Sequence, residues 1–194
     1  MRKLLLFTVL VLLLNSCAML SEFVALTKCE FRLHSLQQPE VCGINIGQKS
    51  SWSDFSFMEG QALAVHLMQK TLPFEITVNV EARNPGTRIA AVNSLQWIAT
   101  LDELQLAQGM VSERVEVAAN GGTSIIPVRI RADLFDYLEG DNARAMLDFA
   151  LNLVNAGNQS SQLRMKIKPS VLIGGREIQY PDYFTITKEF KSGD

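Results

Sequence analysis

Residues 74–86, Phe74-Glu75-Ile76-Thr77-Val78-Asn79-Val80-Glu81-Ala82-Arg83-Asn84-Pro85-Gly86, decide the fold. Phe74, Ile76, Val78, Val80 and Ala82 alternate with Glu75, Thr77, Asn79, Glu81 and Arg83. Successive side chains of a strand point to opposite faces, so this period of two marks a strand with one buried and one wet face. Asn84-Pro85-Gly86 ends it: Pro85 has no N–H for a ladder, and Asn and Gly tolerate turn geometry. Further strands follow at short intervals. Leu95, Trp97, Ala99 and Leu101 face one way along a second, and a third carries Leu104 and Leu106 and ends near Gly109. Two more lie around 114–117 and 123–132, parted by the turn Ala118-Ala119-Asn120-Gly121-Gly122. Five strands joined by short turns form half of a β-sandwich.

Three stretches in this order, ITVNVEARNPG (76–86), SLQWIATLDELQLAQG (94–109) and VEVAANGGTSIIPVRI (115–130), resemble the late embryogenesis abundant type 2 (LEA type 2) family. The core of that family includes the WHy (water stress and hypersensitive response) domain. Asn84 and Pro85 match its Asn-Pro after an apolar-alternating strand, and the likeness extends from Cys29 to Phe190. It implies a mainly β protein, a fibronectin type III-like antiparallel β-sandwich with one or two added α-helices. It also implies a folded, stress-associated module without catalysis, and it discloses no reaction.

The N-terminus gives an address. Arg2 and Lys3 precede an apolar run, Leu4–Leu14, broken only by Thr8. That run is shorter than the ~20 residues a spanning helix needs, and it suits a secretory signal peptide. It ends in Leu14-Asn15-Ser16-Cys17, which looks like a bacterial lipobox. A thiol is required there, because a thioether must carry the diacylglyceryl group. Two or three acyl chains, at about 0.8 kcal/mol per buried CH₂, hold a protein on a bilayer stably. The expected division is a signal peptide over 1–16, lipidated Cys17 with a short tether to 28, one domain over 29–190 and a frayed tail over 191–194. Only Glu22 is acidic near Cys17, without the acidic run of some surface-displayed lipoproteins, which points to a domain facing the periplasm; the expected membrane is the outer one. The whole chain has 18 Lys+Arg and 20 Asp+Glu; removing Arg2 and Lys3 takes the net charge from −2 to −4. An acidic globule lacks the electrostatic footprint for nucleic acid.

Cys29 and Cys42 raise the question of a disulfide in an oxidising compartment. A hairpin turning at 37–40 would pair Ser35 with Cys42 and leave Cys29 about 20 Å down the partner strand, too far to bond. Two buried thiols are therefore expected, with a Cys29–Cys42 bond as the alternative if the chain doubles back differently. A helix is predicted over 59–70, with Asp54 or Ser56 as its cap and Leu63 and Leu67 at helical spacing. A second is predicted over 143–156, capped by Asn142, with the stripe Met146, Leu147, Ala150, Leu151 and Val154. Strands return at 163–167, where Pro169 is expected to break or bulge the strand or leave it at an edge, and at 176–180 and 183–187.

The residues present no constellation for catalysis. His34 and His66 belong to no motif, Asp102-Glu103 sits where a turn is required, and Gly121-Gly122 and Gly174-Gly175 open no helix that would cradle phosphate. The acidic group Asp133, Asp136, Glu139 and Asp141 suits a helix N-terminus, with a weak calcium site as its alternative reading. With two histidines and no C-x-x-C, no metal, no cofactor and no catalytic residue is expected. Trp52, on a polar loop, is a candidate contact residue. The readings that remain are a membrane-held envelope module that binds another protein or protects envelope components, and a carrier of a lipid or other apolar ligand. An apolar cavity would favour the carrier; a filled core with an exposed apolar patch would favour the binding module.

Overall fold

A computed structural model describes residues 23–47, 49, 52–101, 103–137 and 161–190. Cys17, Asp102, Glu139, Asp141, the helix predicted over 143–156 and the tail lie outside them. Strand β1 (Glu30–Val41) is followed by β2 (Ile44–Asn45), helix α1 (Phe57–Met68) and β3 (Pro73–Asn84). Then come β4 (Ala90–Val92), β5 (Ser94–Leu101), β6 (Leu104–Val111), β7 (Val115–Val117) and β8 (Gly122–Asp133). The chain closes with β9 (Ser161–Ile173), β10 (Arg176–Gln179) and β11 (Phe184–Phe190). One sheet has the order β2-β1-β3-β8, and the other β10-β9-β5-β6 with β11 also on β9. A short ribbon of β4 and β7 sits at the rim, and every pairing is antiparallel. This is the β-sandwich that the alternating strands predict.

The core lies between the two sheets. β3 contributes Ile76, Val78, Val80 and Ala82, β8 contributes Ile126, Val128 and Ile130, and β5 and β9 answer with Leu95, Leu101, Met165 and Ile167. All are fully or almost fully buried, and each Val, Leu or Ile contributes about 1.5–3 kcal/mol by leaving water. The seam between β1 and β11 is closed by aromatic rings, Phe31 on Phe184 at 5.0 Å and Phe184 on Tyr180 at 4.8 Å. A helical turn over 23–26 extends this seam: Leu26 is buried and Phe23 reaches Tyr180. The tether is thus docked from Phe23 onwards.

The predicted hairpin at 37–40 does not form. β1 runs on to Val41, and Gln38 and Pro39 make a bulge between the pairs Gln37↔Thr77 and Glu40↔Glu75. The long strand β3 offers ladder partners on both sides of the interruption, and Pro39 still accepts a bond from the Ile46 N–H through its carbonyl. The turn comes instead at Cys42-Gly43, both with positive φ (52° and 74°), the signature of a two-residue I′ hairpin. Cys29 and Cys42 therefore stand at opposite ends of β1 as free thiols, too far apart to bond; Cys29 is buried as expected, but Cys42, on the turn, is only half-buried.

Two further boundaries differ from expectation for steric reasons. β6 continues past Gly109 to Val111, because Gly109 lies opposite Trp97 and the indole covers it. A Cβ there would meet Trp97 Cζ2 at 2.7 Å. Pro169 neither breaks β9 nor marks an edge: it pairs with Leu95 inside the sheet. On its other side it falls between the last residue paired to β11, Ile167, and the first paired to β10, Ser170. Its carbonyl points there and accepts from the Tyr180 N–H, so its missing N–H faces the changeover and costs no ladder bond.

Helix α1 runs two residues earlier than the expected 59–70, and of the two cap candidates, Asp54 and Ser56, it uses Ser56. Ser56 caps it, accepting from the Glu59 N–H, while the Glu59 carboxylate accepts from the Ser56 N–H at 2.7 Å. No residue of α1 is buried. Gly109→Ala is expected to lower stability by about 1–3 kcal/mol through the clash with Trp97. Thermal unfolding followed by Trp fluorescence checks this, and an unchanged Tm would contradict the close approach.

Candidate functional site

Asn84 is the most completely engaged polar side chain described. It is fully buried; its Nδ2 donates to the carbonyls of Arg88 (2.7 Å) and Val117 (3.1 Å). Its Oδ1 accepts from the Gly86 N–H at 3.0 Å, an Asx turn. Its backbone carbonyl accepts from the Gly121 N–H, and Gly86 accepts from Asn120. One side chain thus fastens the end of β3 to the loop before β4, and to β7. Pro85, its neighbour in the motif, is exposed. The pair acts as a structural knot and presents no reactive group.

The outer face of β3 carries polar pairs in register. Glu81 is buried beneath Arg32, which grips it through two bonds of 2.7 and 3.0 Å, with His34 Nδ1 at 3.3 Å. The Arg32 hydrogen bond holds the Glu81 carboxyl below its ordinary range. Asn79 donates to Ser35, Arg83 pairs with Glu30, and Glu75 takes both Arg129 and Arg131. His34 sits at the bulge between Leu33 and Ser35 and is committed to this ladder. His66, on α1, shares a hydrogen bond with Thr71 at 3.0 Å.

Ser94 and Ser170, both buried, touch at 2.9 Å and both donate to the carboxylate of Glu177 on β10. Those hydroxyls, Ser170 first, lower the Glu177 pKa. An acceptor so held anchors β10 to the sheet edge and is a weak base for activating a hydroxyl. Cys29 donates to the Ala25 carbonyl, and burial pushes its thiol up to about 11, so it is an inert core thiol. Burial, with Asp133 nearby, also raises Cys42. Asp133 itself, from the predicted acidic group, accepts from the Leu72 and Phe135 N–H groups. Among the described residues no three His, Cys, Asp or Glu side chains are placed to hold a metal ion. Trp52 opens a single 3-10 turn, Trp52–Asp54.

A cleft of about 380 Å³ opens where β3 begins and β8 ends, lined by Glu40, Gly43, Pro73, Phe74, Glu75, Arg131, Ala132 and Asp133. It is open to solvent, and four of its eight lining residues are charged. The apolar feature of the same end is α1. Phe57, Met58, Val65 and Met68 fall within an arc of about 100° on a helical wheel, and all four are at least half exposed. Such a face is unusual on a small soluble domain. The sequence shows these residues but not that the face they share points outward. Among the described residues no helix is long and apolar enough to cross a membrane.

No family model matches the chain, and no curated protein matches it either. Solved structures similar to it include a protein from Archaeoglobus fulgidus, at 15% identity over 80% of this chain and 96% of that one, with a TM-score of 0.38. A solution structure from Arabidopsis thaliana is 11% identical over 63% and 72% of the two chains, with a TM-score of 0.43. A third, described as a late embryogenesis abundant protein, is 10% identical over 97% and 83%, with a TM-score of 0.36. At these values the likenesses are recorded without further weight.

Asn84→Ala leaves two carbonyls and one N–H without their partner, and is expected to cost about 3 kcal/mol. Pro85→Ala, at an exposed position, is expected to stay within about 1 kcal/mol. Urea midpoints of the two variants check the contrast, and equal losses would contradict the knot. A second expectation concerns Glu59, held down to about 2 by the Ser56 backbone N–H and then by Lys49. Because the folded value is depressed, its support for α1 is present above pH 4.5 and is lost as pH falls towards 2. An NMR titration of the Glu59 carboxyl should find its midpoint well below the ordinary 4.5; a midpoint of about 4 or above would contradict the capping box.

Proposed function

We propose that this chain is a bacterial envelope lipoprotein, held by lipid on Cys17, whose sandwich is a non-catalytic module for binding a protein partner or protecting envelope components under stress. One observation carries the reading of the domain: among the described residues the core is built from both sheets, while α1 keeps an apolar face that their packing leaves exposed. A core built from both sheets supports the binding module over the carrier. An idle apolar face has a use only when something else covers it. The resemblance of the motif stretches to the LEA type 2 family supports the stress association. The lipobox-like segment supports the anchor, and the scarcity of acidic residues near Cys17 supports a domain that faces the periplasm from the outer membrane.

Substitution of Phe57, Met58 and Met68 by serine is expected to lower the Tm by no more than about 6 °C, since each exposed position changes stability by less than about 0.5 kcal/mol and 1 kcal/mol is about 2–4 °C in a domain of this size. The same triple variant is expected to abolish photocrosslinks formed in cells from a probe at Val65. A large loss of Tm, or crosslinks that survive the substitutions, would count against α1 as the binding face. Native mass spectrometry separates the carrier reading: a co-purifying lipid, lost on mild organic extraction, would favour it over the binding module.

A further inference from the structure

The two ends of the sandwich differ in what they expose. At one end β1 starts and β3 stops, and there the helical turn over 23–26, the loop after Asn84 and the β9–β10 hairpin come together. Phe23 reaches Tyr180, and the Lys28 side chain lies within 3.8 Å of a Cβ built on Gly86, so these segments adjoin. This end exposes Val24 (50%), Ile89 (55%), Leu172 (37%) and Ile178 (41%). Lys28, Arg88 and Arg176 are exposed among them; of the acids there, Glu177 is occupied by Ser94 and Ser170 and Glu30 by Arg83, which leaves exposed Asp182 against three cations. Apolar side chains mixed with free cations are the surface that an anionic headgroup layer accepts.

We propose that this end rests on the bilayer that holds Cys17, with α1 pointing away from it; the inference rests on the lipoprotein reading above. Chain length decides between the ends. Cys17 stands six residues before the docked Phe23, a reach of at most about 22 Å. β3 has twelve residues, so α1 at its far end is about 40 Å further along the sandwich. The anchor therefore keeps Val24, Ile89 and Ile178 within reach of the headgroups and leaves α1 to the opposite side. Partner binding through α1 and attachment to the membrane then use different ends and do not compete.

The test uses the full-length protein, purified with its lipid and reconstituted in vesicles of phosphatidylethanolamine and phosphatidylglycerol. Cys42→Ser removes the accessible native thiol, and buried Cys29 stays. Single cysteines at Ile89, Ile178, Met58 or Val65 carry an environment-sensitive dye, and the vesicles carry brominated lipid as quencher. Quenching at 89 and 178 should exceed that at 58 and 65 by at least about twofold. Equal quenching at all four positions, or stronger quenching at 58 and 65, would overturn the orientation. Deuterium uptake by the unsubstituted protein, on vesicles against detergent, gives a second reading without mutation: slower exchange is expected at 86–89 and 174–178, and unchanged exchange there would overturn it. Incorporation of alkyne-palmitate, with Cys17→Ser as control, reads the anchor separately. Acylated protein with unquenched 89 and 178 sinks the orientation alone, whereas unacylated protein sinks the anchor and the orientation together.

Discussion

The rest of the structure depends on the double pairing of β3. Along all of its twelve residues it is bonded to β8, and over most of them to β1 as well. A strand with neighbours on both sides satisfies its backbone groups internally. Its inward side chains can then be buried without stranding a polar group, and Ile76, Val78, Val80 and Ala82 are buried to 1% exposure or less. The bulge at Gln38–Pro39 shows the strength of this constraint. A proline and a left-handed glutamine are accommodated in β1, and the ladder to β3 resumes beyond them.

The polar residues of the same strand do a second job. On the outer face, Glu75, Asn79, Glu81 and Arg83 are each matched across the ladder by a side chain of complementary charge or hydrogen-bonding type. At the strand's end Asn84 turns inward and meets three backbone groups. A buried amide is tolerable only when its donors and acceptor are used, and here they are. These groups explain specificity of register and of loop placement. Among the described residues the features they leave unused lie on the surface: an apolar helix at one end, an apolar and cationic rim at the other.

Much of this was legible in the residues. Period-two alternation located β3, β5 and β8 within a residue or two, because each has one face against the core. Ser56 was one of two cap candidates for α1, and the Glu59 carboxylate that completes its capping box lies only three residues away. Where the sequence misled, a distant partner decided. The turn residues at 37–40 were outweighed by the ladder to β3, Gly109 by Trp97 on the neighbouring strand, and Pro169 by the place where β9 changes partner. β4 is only three residues, all apolar and buried, too short for a period to show. The outward face of α1 was hidden for another reason: an apolar arc on a helix normally marks the side that packs, and nothing local says which way it points. Of the candidate site, Asn84 was found through its motif, but its role in fastening β7 needs the Val117 carbonyl, distant in sequence.

The central claim is that β3 is the core of the fold and that α1 stands outside it. Native-state amide exchange followed by NMR tests both halves in one experiment. The account predicts the slowest exchange at 76–82, approaching the free energy of global unfolding, and exchange along 57–68 that is faster by several orders of magnitude. Protection of α1 equal to that of β3 would contradict it, since the helix would then belong to the cooperative core.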